Sequence, residues 1–158
     1  MNSAPVPLFP AWPISSEAEP RHRPSSLRGP RVQVRGKFLF AGEEKYFLQG
    51  VTYGPFRDGE DHLGHPEKVK RDFRLIAAAG FNTLRIYHPP GRWFLDLAAE
   101  HGLRVMVTVP WQRRVLFLDD GAVRKEIRAS VRRAARGSAG HPAILGFYVD
   151  NEIPPDLV

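Results

Sequence analysis

The sequence predicts an α/β fold: a partial TIM (β/α)8 barrel of about four βα units, preceded by a β-hairpin and a disordered tail. Three observations predict it. Apolar runs of strand length alternate strictly with segments of helical period, which implies a parallel sheet with right-handed crossovers. The connections between them are short. The turn after the first strand, Tyr53-Gly54-Pro55-Phe56, contains neither GxGxxG nor GxxxxGK, so a barrel is favoured over an open nucleotide-binding sheet.

Residues 1–30 carry Pro5, Pro7, Pro10, Pro13, Pro20, Pro24 and Pro30 together with Ser15, Ser16, Ser25 and Ser26. Proline removes backbone donors and fixes φ, so this stretch reads as a tail or linker. Residues 31–158 read as the N-terminal half of the barrel with its leading hairpin. In the hairpin, Val32, Val34, Phe38 and Phe40 alternate with polar residues, Ala41-Gly42-Glu43 turns the chain, and the second arm begins at Lys45. That arm runs on through Leu48 to Tyr53 as the first strand of the larger sheet. A polar loop, Arg57 to His65, follows.

Pro66 opens the first helix and Gly80 closes it, with Val69, Phe73, Ile76 and Ala77 on one face. The second strand spans Thr83 to Tyr87. The second helix, Arg92 to His101, buries Phe94, Leu97 and Ala98 and ends at Gly102. The third strand is Val105 to Val109, and a short helical turn is expected at Val115 to Leu118. The third helix runs from Ala122 to Arg136. Its apolar stripe is Val123, Ile127, Val131 and Ala134 or Ala135. Its arginines, at 124, 128, 132, 133 and 136, form a solvated outer face. The last strand, within Ala143 to Val149, is a continuous apolar run expected to be buried on both faces.

Composition narrows the function. Hydrophobic residues make up 42% and charged residues 25%, as in a globular domain. There is no cysteine, which excludes disulfides, thiolate metal sites and a cysteine nucleophile. No apolar run reaches the ~20 residues that span a bilayer, and the N-terminus has no secretory-signal pattern. Those features favour a cytoplasmic setting and no membrane partner. The net charge of +6 raises nucleic acid as a partner. The arginines are spread over the tail and one helix without interleaved aromatics, which argues against it. His62, His65 and His101 have no metal-ligand spacing with a carboxylate, and no metal or cofactor is expected.

From about Arg31 to Pro155 the chain resembles the start of the catalytic barrel of glycoside hydrolase family 2, within the clan of retaining barrel glycosidases. Gly80-Phe81-Asn82-Thr83-Leu84-Arg85-Ile86-Tyr87-His88-Pro89-Pro90 is similar to that family's second-strand motif. Phe94 to Leu103 resembles the following helix, and His141-Pro142-Ala143-Ile144 leading to Asn151-Glu152 resembles its fourth strand. The tract from Gln49 to Phe56 also resembles barrel modules fused to glycosyltransferases.

The resemblance implies that Glu152 is the acid/base and that Asn151 contacts the sugar 2-hydroxyl. It implies that Arg85 and His88 line the sugar pocket, with Arg85 directed toward the nucleophile. That nucleophile belongs to the seventh strand, beyond the four strands seen here. The residue before Asn151 is glycine in the clan and Asp150 here; a second carboxylate beside Glu152 can raise its pKa. Independently of the family, a carboxylate at the C-terminal mouth of a parallel barrel strand is where such enzymes keep their chemistry. Trp111, Tyr53 and Tyr87 present aromatic faces suited to the C–H face of a pyranose.

Structural roles compete at each position: a strand-end carboxylate for Glu152, a barrel-mouth arginine for Arg85, a helix-capping residue for His88 and an aromatic plug for Trp111. The expected activity is retaining hydrolysis of a β-linked carbohydrate, with this chain alone inactive for want of the second carboxylate. Open edges on the first and fourth strands invite the other half-barrel or a second copy. Two alternatives stand beside this: a non-catalytic carbohydrate-binding module of a larger glycosyltransferase system, and a basic nucleic-acid-binding domain.

Overall fold

A computed structural model describes residues 30–56, 63–109, 120–138 and 140–149. The N-terminal tail through residue 29, the expected turn at Val115 to Leu118, and Trp111, Asp150, Asn151 and Glu152 lie outside them.

The leading element is larger than a hairpin. β1 (Val32–Arg35), β2 (Phe38–Ala41) and β3 (Glu44–Lys45) form a three-stranded antiparallel sheet in that order. The stretch expected to be one arm folds back on itself at Gly36, which takes φ 61°, and turns again at Gly42, φ 66°. Positive φ favours glycine because it has no Cβ to clash. The second arm also stops earlier than expected. β3 ends at Lys45, and residues 46–49 lead into a separate strand.

That strand, β4 (Gly50–Thr52), begins a four-stranded parallel sheet with β5 (Thr83–Ile86), β6 (Arg104–Thr108) and β7 (Ile144–Tyr148), in the order β4-β5-β6-β7. The crossovers are helices α1 (Pro66–Ala78), α2 (Arg92–Glu100) and α3 (Gly121–Ser138). Sequential parallel pairing through three helices is the architecture of a barrel segment, as the alternation predicts. No helix among the described residues is long and apolar enough to cross a membrane.

The helix ends follow local chemistry. After α1, Gly80 (φ 88°) donates to Ala77 O and Phe81 donates to Ile76 O. After α2, Gly102 donates to Ala99 O and Leu103 to Ala98 O. Both are Schellman closures, which satisfy carbonyls that the last turn leaves open. Asp120 caps α3: its Oδ1 accepts from the N–H groups of Ala122 (2.7 Å) and Val123 (3.2 Å).

The core lies between sheet and helices. Val69 and Phe73 of α1, Phe94, Leu95, Ala98 and Ala99 of α2, and Leu84, Ile86, Val105, Val107 and Ile144 of the sheet are buried there. Phe73 and Phe94 meet edge to face with centroids 5.0 Å apart, a favoured aromatic geometry. Leu97, expected in the α2 core face, is partly buried against this cluster, and the neighbouring Leu95 is the more deeply buried. The α3 arginines at 124, 128, 132, 133 and 136 are all exposed, as expected of an outer face.

The floor of the sheet, at the N-terminal ends of its strands, is tied to the small sheet. Tyr46 Oη lies 3.0 Å from Asn82 O and 2.8 Å from Thr83 Oγ1. The Asn82 side chain accepts from Gln49 N–H and donates to Phe47 O. Arg104, 5% exposed, donates to the carbonyls of Pro142 and Pro30. Burial lowers the Arg104 pKa below its ordinary value, and the nearby Tyr46 opposes that shift. His141 is buried beside it. Its Nδ1 accepts from Ala143 N–H at 3.1 Å, so Nε2 is the nitrogen left to donate to Asp96 Oδ1 at 3.0 Å. This pair locks α2 to the start of β7.

Candidate functional site

Side chains alternate across the parallel sheet. Val51, Tyr53, Leu84, Ile86, Val105 and Val107 pack on the helix side. Thr52, Arg85, Met106 and Thr108 therefore take the opposite, inner face. Backbone register sets Thr52 beside Arg85, Arg85 beside Met106, and Thr108 beside Tyr148. β7 is not buried on both faces as expected: Ile144 is buried, but Tyr148 is 37% exposed and Val149 is exposed beyond it. A register shift between Val105 and Met106 changes the alternation along β7. Ile144 and Phe147, three residues apart, both reach the helix-side core, leaving Tyr148 for the inner face.

The C-terminal end of this face is organised around Arg85. Its Cζ lies 5.0 Å from the Tyr87 ring centroid and 4.7 Å from the Tyr148 ring centroid. Both distances are within the reach of cation–π attraction. Because β6 lies between β5 and β7, the arginine side chain must cross β6 to meet Tyr148. Thr108, near the end of β6, is 3% exposed, and its Oγ1 has no hydrogen-bond partner among the described residues. A planar guanidinium framed by two aromatic rings can present directional N–H donors to sugar hydroxyls or to a carboxylate.

The expected site residues divide three ways. Arg85 and Tyr87 are brought together on the inner face, and His88 follows directly at the mouth, half-buried. Tyr53 is not on that face. It is 4% exposed in the helix-side core, edge to face with Phe56 (4.8 Å) and Phe73 (5.4 Å). Its hydroxyl donates to Asp72 Oδ2 at 2.9 Å. Burial raises the Tyr53 pKa well above its ordinary value, and the bonded Asp72 carboxylate adds to the shift. Burial alone would raise the Asp72 pKa; bonds from Lys68 and Tyr53, with the charges of Lys68 and Arg71, outweigh it and lower the pKa. Asn151, Glu152 and Trp111 lie outside the described residues.

Tyr148 is the addition. The sequence signal for it was a tyrosine near the end of a strand that continues toward Asn-Glu, but a strand taken as buried on both faces gives no reason to aim it inward. Among the described residues, no group of three or more His, Cys, Asp or Glu side chains is placed to hold a metal ion.

Comparison with known proteins adds to this geometry. No family model matches the chain. A 58-residue stretch is 33% identical to the 1,3-beta-glucanosyltransferase gel1 of Aspergillus fumigatus, covering 35% of this chain and 13% of that protein. Saccharomyces cerevisiae Gas2p in complex with laminaripentaose superposes with a TM-score of 0.64 at 19% identity, over 81% of this chain and 32% of that one. A β-glucuronidase from Ruminococcus gnavus, in complex with a C6-substituted uronic isofagomine, superposes with a TM-score of 0.63 at 21% identity, over 80% of this chain and 23% of that one. The chain thus spans about a third or less of the length of the proteins it matches. These likenesses do not single out family 2, and they show that the chain has the partial (β/α)8 barrel fold.

Proposed function

We propose that this domain is the first half of a glycosidase-type barrel that acts on a β-linked glucan by a retaining two-carboxylate mechanism. The observation that carries the reading is the Arg85 guanidinium between Tyr87 and Tyr148, at the end of the parallel sheet where barrel enzymes keep their chemistry. The 33% identity to a 1,3-beta-glucanosyltransferase favours β-1,3-glucan among the β-linked polymers.

In this reading Glu152 is the acid/base. It lies four positions after Tyr148, so covalent geometry alone keeps its Cα within ~14 Å of the Tyr148 Cα. Asn151 contacts the sugar 2-hydroxyl, and His88 and Trp111 border the sugar. Retaining chemistry needs a second carboxylate ~5 Å from the first. We assign that nucleophile to strands that complete the barrel, beside the open edges of β4 and β7. First, protonated Glu152 gives its proton to the leaving oxygen while the nucleophile takes the anomeric carbon. Then ionised Glu152 takes a proton from water or from an acceptor sugar hydroxyl, which displaces the nucleophile.

The test has two arms. Laminaripentaose titrated into the full chain is expected to bind, and Arg85→Ala to lose that binding. Chromogenic β-glycosides are expected to remain uncleaved by the chain alone. Turnover that disappears in Glu152→Gln would overturn the assignment of the nucleophile elsewhere. Sugar binding with no turnover, even after the second half-barrel is supplied, would favour the carbohydrate-binding-module reading.

A further inference from the structure

Arg85 and Tyr148 are on strands that do not touch. β6 separates them, and two strand spacings amount to about 9.6 Å. A long side chain crossing that gap gives up much rotamer freedom unless something holds its far end. Here the far end meets two rings, Tyr87 from its own strand end and Tyr148 from β7. Tyr148 is also the register partner of Thr108, which is nearly sealed from solvent.

We propose that Tyr148 is a positioning residue for Arg85. It clamps the guanidinium over β6 against Tyr87 and so couples the donor group of β5 to the strand that leads toward Asn151 and Glu152. Movement of β7 then moves the guanidinium with it, and the sugar-facing donors keep one arrangement relative to the chain carrying the acid/base. The ring is what this role requires. A phenylalanine retains the face that meets the cation, whereas an aliphatic or small side chain does not. For its ligand the proposal rests on the glucan reading above; the clamp itself does not.

Nuclear magnetic resonance of the full, nitrogen-15-labelled chain separates the two. The Arg85 Nε–Hε signal, identified by its loss in Arg85→Lys, is expected upfield of the other arginines because of the two ring currents. Tyr148→Phe should leave it in place, and Tyr148→Ala should return it toward the arginine cluster. Tyr87→Leu, which removes the other ring, gives a second, independent displacement. Laminaripentaose affinity is expected to fall roughly three- to tenfold in Tyr148→Ala, the scale of one cation–π contact, and to stay within about twofold of wild type in Tyr148→Phe.

An Arg85 signal that does not move in folded Tyr148→Ala, checked by circular dichroism, overturns the clamp. Unchanged sugar affinity in that variant overturns its role in binding while the glucan reading stands. A signal that responds to Tyr148 in a chain that binds no laminaripentaose supports the clamp and removes the glucan reading.

Discussion

Replacing Tyr53 with Phe removes a single oxygen and separates a structural role from a sugar-binding one. The ring stays in its apolar nest against Phe56, Phe73 and Phe94. What is lost is the bond from the hydroxyl to Asp72 Oδ2, 2.9 Å long. A hydrogen bond to a charged acceptor contributes about 1.5–3 kcal/mol. Asp72 keeps its ion pair with Lys68 and remains partly solvated, so the loss falls at or just below the low end of that range, about 1–2 kcal/mol. For a chain of this length that is a fall in melting temperature of about 2–8 °C.

The pH dependence carries the sign. The Asp72 pKa is lowered on folding, so its contribution is fully present above the unfolded value, ~3.9, and is lost as pH falls through the folded one. The gap between wild type and Tyr53→Phe should therefore close in acid. At the alkaline end the Tyr53 pKa is raised, so the wild type should lose stability as pH rises past the unfolded tyrosine value of ~10. Tyr53→Phe should lack that loss. Urea melts from pH 3 to 11, with laminaripentaose titrations at neutral pH, measure all of this. A variant as stable as wild type that no longer binds sugar would refute the placement of Tyr53 in the core.

Three further outcomes follow from the geometry. Asp120→Ala removes the acceptor for Ala122 and Val123 N–H and should cost about 1 kcal/mol, seen as a lower urea midpoint. His141→Ala leaves the buried Ala143 N–H without its partner and the Asp96 carboxylate with only its longer pairing to Arg92; a loss of about 1–3 kcal/mol is expected, and a neutral result in the same melt would contradict the latch. Gly80→Ala meets no atom but must adopt φ 88°, so about 1–2 kcal/mol should be lost through backbone strain alone, read by thermal denaturation.

The alternation of strands and helices was legible because each buried element has one period and a clear stop. Gly80 and Gly102 marked two helix ends through their positive φ, and Pro66 marked a beginning. The small sheet was half legible. Gly36 sits between Arg35 and Lys37, without the Pro, Asn or Asp that usually announces a turn, so two strands read as one arm. Strand faces were the harder problem. Thr52 and Tyr53 differ in size but not in any pattern that assigns inside or outside, and the small Gly50 and Thr52 proved to face inward while the large ring took the helix side. The register shift along β7 has one weak local signature, the isolated Gly146 inside the strand, and it is what turns Tyr148 toward Arg85. Arg85, by contrast, was singled out by the resemblance of its strand to a known motif, with a structural barrel-mouth arginine as the competing role.

The bond from Arg104 to the Pro30 carbonyl has a practical meaning. It fastens Pro30 to the underside of the sheet, while Arg85, Tyr87 and Tyr148 crown the far end. A tag, surface linker or fusion partner joined before Pro30 would depart from the underside. The molecule tethered that way to a sensor chip or resin would present its aromatic crown to the bulk, free to meet a polysaccharide too large to enter from below.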